Sequence, residues 1–304
     1  SGVNAALNDI RIGLDGRFLG PGVADNGAGL VALLTLAALW QAFPELDELP
    51  CAPVLIANVG EEGEGNLSGM RYLCRNPEFR YKSFVILDGP GNDHITCQAL
   101  GSRRFEVVFT GPGGHSWNDH GTPNPVHALS RAVTLFNDLA PTGLPRCSFN
   151  FGIIEGGTSI NAIPVEARAK VDLRSEDPTR IDQLATLLAQ STEQALSREN
   201  ANADSGRVAA TLKEIGSRPA GRLPANAPLM KNILSVDLSL GLRSALDCSS
   251  TDANIPLSLG LPAISIGAGG QGGAAHTPAE WFHPDGRDIG LRRLLLLLGL
   301  ELGM

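Results

Sequence analysis

Four short stretches of this 304-residue chain carry side chains that could act together on metal ions. Asp25 sits in GPGVADNGAGL, the pair Glu61-Glu62 in NVGEEGEG, Asp88 in ILDGPG and His276 in GAAHTPAEW. Carboxylates and an imidazole are the oxygen and nitrogen donors of a hydrolytic zinc, manganese or cobalt site. A carboxylate between two cations about 3.5–4 Å apart gives each an oxygen, and such a pair clamps both the attacking and the leaving atom of a hydrolysis. Asp25, at the front of a helix, suits that bridge. Consecutive loop side chains point apart, so of Glu61 and Glu62 one can bind while the other takes a proton from water and passes it to a leaving nitrogen. Singly, each residue has a plainer reading: a solvated Glu-Glu pair, an N-cap at Asp25, turn residues at Asp88 and His276. Their joint occurrence favours a metal centre.

The elements that must position these residues follow from pattern. In open α/β sheets, ligands gather beyond the carboxyl ends of strands. Residues 53–59 (PVLIANV) read as a buried parallel strand feeding Glu61-Glu62, and residues 83–87 (SFVIL) as a second one running into Asp88. The run 27–43 predicts a helix that the Asp25-Asn26 pair can cap and Pro44 ends, and 70–75 predicts a shorter one. Further on, 228–242 and 252–259 predict helices around a strand at 262–266, and a last helix spans about 285–300. The tract GAGGQGGAA at 267–275 reads as a loop; without the Lys-Ser/Thr of a phosphate-binding loop it gives no phosphate cradle. Between these halves, residues 103–110, 148–154 and 165–173 alternate polar and apolar, as antiparallel strands with one wet face do. Helical runs at 125–139 and 178–197 interleave with them. The expected fold is α/β: a doubly wound mixed-sheet domain from residues 1–100 and 217–304, with an inserted α+β domain at 101–216.

A formal charge of −8 and the absence of any dense Lys/Arg cluster argue against a nucleic-acid partner. An acidic chain that handles an anionic substrate must place single cations locally, which directs attention to arginines near the motifs. Five scattered cysteines (Cys51, Cys74, Cys97, Cys147, Cys248) suit reduced thiols in a cytoplasmic protein rather than a disulfide framework. The longest apolar runs, 30–40 and 294–300, fall short of the roughly 20 residues of a membrane span. The opening SGVNAALNDI has neither the basic start nor the apolar core of a secretion signal.

The strings GPGVADNGAGL, NVGEEGEG, ILDGPG, GPGGHSW, GGTSINAIP, DLRS, STDAN and GAAHTPAEW, in that order between Leu19 and Phe282, carry a resemblance. They resemble the co-catalytic metallopeptidase family of aminoacylase, acetylornithine deacetylase, succinyl-diaminopimelate desuccinylase and bacterial glutamate carboxypeptidase. The resemblance implies two divalent ions, zinc or else manganese or cobalt. Asp25 falls on their bridging ligand, Glu61 on the general base, Glu62 and His276 on ligands of one metal and Asp88 on a ligand of the other. The inserted domain resembles the family's lid, which often forms the interface of a homodimer. His115 falls on a histidine that reaches an active site, commonly the partner subunit's. Asn161 and Arg174 fall on lid positions that hold the substrate carboxylate and the developing oxyanion. A planar guanidinium can grip a carboxylate with two parallel hydrogen bonds. The plainer alternatives are a salt bridge from Arg174 to Asp172 or Glu176, and turn chemistry for His115 and Asn161.

One departure stands out. The family's second metal takes a further histidine from a His-x-Asp motif upstream of the bridging aspartate, and the 24 residues before Asp25 contain none. The missing ligand is expected before Ser1, along with the rest of the N-terminal portion of the catalytic domain. The expected activity is metal-dependent cleavage of an amide bond in a short peptide or N-acyl amino acid. The alternative, motivated by the absent histidine, is a catalytically silent homologue that serves as a dimerising or ligand-binding module.

Overall fold

The computed structural model describes residues 10–43, 49, 51–76, 78 and 80–304. The chain runs β1 (Arg11–Ile12), β2 (Phe18–Leu19), α1 (Gly27–Ala42), α2 (Ser68–Arg75), β3 (Phe84–Leu87), β4 (His94–Ala99), β5 (Gly101–Thr110) and β6 (Gly114–His115). It continues through α3 (Pro125–Leu139), β7 (Cys147–Gly156), β8 (Ala162–Ile163), β9 (Glu166–Ser175), α4 (Pro178–Ala201), β10 (Ala209–Arg218) and β11 (Gly221–Arg222). The last elements are α5 (Pro228–Ser239), β12 (Ala245–Ser249), α6 (Asn254–Ser258), β13 (Ala263–Ile266), β14 (Gln271–Gly273), β15 (Trp281–His283) and α7 (Arg287–Leu302). They form two compact units, Ser1–Ala99 with Gly221–Met304, and Leu100–Ala220.

In the first unit a mixed sheet runs β11-β4-β13-β3, with β12 parallel to β4. All four residues of β13 are buried, and this strand lies parallel to β3 and antiparallel to β4. A strand shielded on both faces needs helices on either side, and the apolar core joins Ile264 and Ile266 to Ala28 and Ala32 of α1, Ile233 of α5 and Leu297 of α7. Behind this core Arg293 of α7, with no solvent exposure, makes two hydrogen bonds to Asp237 of α5, at 2.6 and 2.8 Å. A second, small sheet, β1-β2-β15-β14, joins the chain near residue 19 to the segment around residue 281 through the Leu19–Trp281 pairing.

The second unit is the antiparallel sheet β10-β5-β9-β7 with α3 and α4 packed on it. Phe105, Val107 and Phe109 of β5 and Ala167, Ala169, Val171 and Leu173 of β9 are buried against Phe136 of α3 and Leu184 and Leu188 of α4. The intervening residues face outward, which is the alternation expected of a one-sided sheet. Asn124 caps α3 by accepting from the amide of Val126, and Pro125 occupies the first turn, where its missing N–H costs nothing.

The fold is α/β with an inserted α+β part, and among the departures from the sequence reading two lie next to the candidate site. Residues 53–59 form no strand: among the described residues no strand pairs with them, and Val54 and Val59 are 55% and 79% exposed. An apolar run becomes a strand only where a neighbour completes its ladder; here the segment lines a groove of about 890 Å³ together with residues of β3. The Gly-rich tract 267–275 is not all loop, because β14 lies inside it and pairs with β15. Among the described residues all five cysteines are free thiols, and no helix is long and apolar enough to cross a membrane.

Candidate metal centre

Three of the predicted ligands come from segments far apart in sequence and meet. Nε2 of His276 lies 2.6 Å from Oδ2 of Asp25 and 3.0 Å from Oε1 of Glu62. One donor atom from each of the three lies within 4.8 Å of the other two. Each segment has its own local reason for its course.

Asp25 ends the loop between β2 and α1. The side chain of the next residue, Asn26, accepts from the amide of Gly29 at 3.1 Å and so caps α1, while its amide donates to the carbonyl of Leu87 at 2.6 Å. One asparagine thus fixes the helix start and ties the Asp25 loop to the end of β3. Asp88 follows at once, its N–H donating to the carbonyl of Ile266 at 3.0 Å and prolonging the β3–β13 pairing by one residue.

Glu61 and Glu62 follow Gly60, whose φ of +81° turns the chain; a side chain there would also meet Ser68 Oγ at 2.2 Å. The amide of Gly69 donates to the carbonyl of Val59, so α2 anchors the loop from its far end. His276 sits in the turn between β14 and β15 with φ +64°, a left-handed conformation uncommon for a histidine. That turn is closed by the hydroxyl of Thr277, donating to the carbonyl of Ala274 at 2.7 Å.

The charges are strained in the way an anionic cage should be. Burial, with the charges of Asp25, Asp252 and Glu62 added, pushes the Asp88 carboxyl up to about 6. Burial and then Asp25 raise Glu62, with His276 relieving part of the repulsion. Burial would lower His276, but the hydrogen bond to Asp25 and the charges of Glu62 and Asp25 outweigh it and hold the imidazole above its ordinary value. Crowded carboxylates with a single imidazole among them lack enough positive charge to balance them. Two carboxylates and an imidazole at this spacing fit a divalent cation, which binds such groups deprotonated.

Asp88 is electrostatically part of this cluster but stands outside the trio whose donor atoms converge. Glu61 lines the same groove as Asp25, Glu62, Asp88 and Asp252. The other three candidates belong to the second unit. His115 and Asn161 are neighbours there: β6 pairs with β8, and the amide of Ser116 donates to the carbonyl of Asn161 at 3.0 Å. Nδ1 of His115 accepts from the amides of Trp117 and Asn118, which places the proton of the neutral ring on Nε2. Asn161 accepts from the hydroxyl of Ser159 at 2.7 Å. Arg174 makes the local ion pair, its Nε 2.5 Å from Oδ2 of Asp172, whose other oxygen takes Arg104 at 3.1 Å.

Sequence reasoning assigned no role to Glu280 or Asp252, and to Asn26 only that of a helix cap with Asp25. Glu280 has no solvent exposure, and Asp252 receives the Asn58 side-chain amide at 2.8 Å. For Glu280 and Asp252 the only signal was inclusion in the strings GAAHTPAEW and STDAN, since their partners lie far away in the chain, as does Leu87, the second partner of Asn26.

Comparison with known proteins agrees with this architecture. Residues 99–217 match the peptidase dimerisation domain of the M20 peptidases. A probable carboxypeptidase of Aspergillus clavatus is 28% identical over 205 residues, covering 61% of this chain and 43% of the relative. A succinyl-diaminopimelate desuccinylase of Bradyrhizobium is 26% identical over 187 residues, covering 57% and 48%. The matched part of the chain thus spans about half the length of these curated relatives or somewhat less. Among solved structures, a tripeptidase from Staphylococcus aureus superposes with a TM-score of 0.80 at 18% identity, covering 99% of this chain and 79% of that one. An aminopeptidase from Bacillus cereus gives 0.76 at 17% identity, covering 98% and 77%. With the dimerisation-domain match lying between the two halves of an α/β unit, and relatives named as carboxypeptidase and desuccinylase, the chain is similar to the M20 peptidases.

Proposed function

We propose that this chain forms most of a metal-dependent hydrolase that cleaves the amide bond of a short peptide or N-acyl amino acid. The observation that carries the reading is the convergence of Asp25, Glu62 and His276, drawn from three separate segments onto one point. A divalent cation held there, one of a pair in the full proposal, supplies Lewis-acid polarisation of the scissile carbonyl and makes water more acidic.

The chain's own residues do the rest. Asp25, Glu62 and His276 would hold one cation, and Asp88, with Asp25, would hold the other. Glu61 takes a proton from the attacking water and delivers it to the departing nitrogen. Asn161 and Arg174 orient the substrate carboxylate and the carbonyl oxygen, and His115 assists from the second unit, as part of a homodimer. The match to a dimerisation domain supports that assembly, as does β7, one of the two outer strands of its sheet, with Ile153 and Ile154 at 45% and 58% exposure.

The test is metal analysis of the purified full chain joined to a turnover screen. Stripped protein reloaded with zinc, manganese or cobalt is expected to bind at least one equivalent and to hydrolyse some members of a panel of N-acyl amino acids, dipeptides and tripeptides. A protein that binds none of the three ions would overturn the reading.

A further inference from the structure

Glu280 is buried without exposure, yet it is neither a ligand nor the base assigned above. Its carboxylate is directed at one loop. Oε1 accepts from the amides of Ala24 and Asp25, both at 2.8 Å, and Oε2 from the amide of Gly22 at 2.9 Å. Its carbonyl accepts from the amide of Gly20 at 2.9 Å, so four hydrogen bonds tie this one residue to the segment leading into Asp25. On its other side the Glu280 amide donates to the carbonyl of Thr277, closing the turn that displays His276. Immediately beyond, Trp281 enters the ladder opposite Leu19.

We infer that Glu280 is a positioning residue of the metal centre. It clamps the Asp25 loop to the His276 turn and so presets two donor groups for a cation; the inference rests on the metal-centre reading above. A carboxylate suits this place because only an anion accepts from three peptide N–H groups at once without presenting a donor of its own. A glutamine would keep one acceptor for Ala24 and Asp25 and turn an NH₂ group against the N–H of Gly22. An aspartate would keep the charge and lose the reach of one methylene.

The experiment measures metal binding by the full chain without reference to turnover. Stripped wild type, Glu280→Gln, Glu280→Asp and Asp237→Asn are titrated with Zn²⁺ against a chromophoric chelator, and their Co²⁺ complexes are compared by visible absorption. Circular dichroism and thermal melts of the stripped forms establish that each is folded. Glu280→Gln is expected to weaken Zn²⁺ binding by about 10–100-fold, the range found when groups that orient metal ligands are removed, and to alter the Co²⁺ bands. Glu280→Asp should recover part of that loss. Asp237→Asn disturbs the buried pair between α5 and α7 and should lower the melting temperature while leaving both metal signals unchanged. Wild-type affinity and spectrum in Glu280→Gln, or an affinity loss matched by Asp237→Asn, would overturn the inference and leave the metal centre standing. Absence of metal binding by wild type would instead remove the metal centre, and this inference with it.

Discussion

The contact between Arg293 and Asp237 yields the most quantitative expectation. The guanidinium has no solvent exposure and the Asp237 side chain 5%, and the two meet through paired hydrogen bonds at 2.6 and 2.8 Å, with Ser244 Oγ accepting a third at 3.0 Å. Truncation by Asp237→Ala leaves a permanently charged group buried with its main partner gone, because an arginine cannot shed its proton. Removing one partner of a buried pair costs about 3–5 kcal/mol. Each kcal/mol moves the midpoint of a unit this size by about 2–4 °C, so the first unit should melt roughly 6–20 °C lower. Scanning calorimetry reads this directly. Denaturant unfolding followed by tryptophan fluorescence assigns it, because Trp40 and Trp281 belong to the first unit and Trp117 to the second. The companion variant Asp237→Leu/Arg293→Met removes both charges and fills the space with apolar groups; it should return to within about 1.5 kcal/mol of wild type, since well-packed apolar replacements of buried pairs are near neutral or better. A loss under about 1 kcal/mol for Asp237→Ala, or a double variant no more stable than the single one, would refute the reasoning.

Other expectations follow from the site and from the second unit. Glu61→Gln should abolish turnover while metal content persists, whereas Glu62→Ala and His276→Ala should lower metal content itself; equal metal loss in all three, by elemental analysis, would remove the division between base and ligand. Arg174→Ala should raise KM chiefly for substrates that carry a free carboxylate, with smaller effects because Asp172 already shares the guanidinium; comparable losses on amidated substrates would exclude that role. Phe136, fully buried and edge-on to Phe149 at 4.9 Å and Phe151 at 5.6 Å, anchors the second core, so Phe136→Ala should cost that unit about 3–5 kcal/mol in calorimetry. Ile154→Lys on β7, an outer strand of the second unit's sheet, should shift a dimer towards monomer by sedimentation velocity without lowering the melting temperature of the separated chain.

Much of the fold was legible because it is written in local periodicity. The helix at 125–139 appears with those bounds since Asn124 and Pro125 mark its start and its apolar spacing marks its length. The alternating strands β5, β7 and β9 were legible because one face stays wet. By contrast β4 and β12 escaped notice: HITCQA and ALDCS carry little pattern of their own, and they are strands because β13 and each other supply the ladder. The error at 53–59 is the converse, a strand-like run with no paired neighbour among the described residues.

The same division applies to the candidate site. Residue type and order alone selected Asp25, Glu61, Glu62, Asp88 and His276, because carboxylates after apolar runs are chemically conspicuous wherever they fold. Only tertiary structure decided that Asp25, Glu62 and His276 converge while Asp88 stands beside them, that Arg174 is already paired with Asp172, and that Glu280 fastens the loops. Ligand chemistry belongs to side chains and can be read one residue at a time. Distance and burial belong to pairs, and the Glu280–Gly22 pair is separated by 258 positions, a span over which no local pattern carries information.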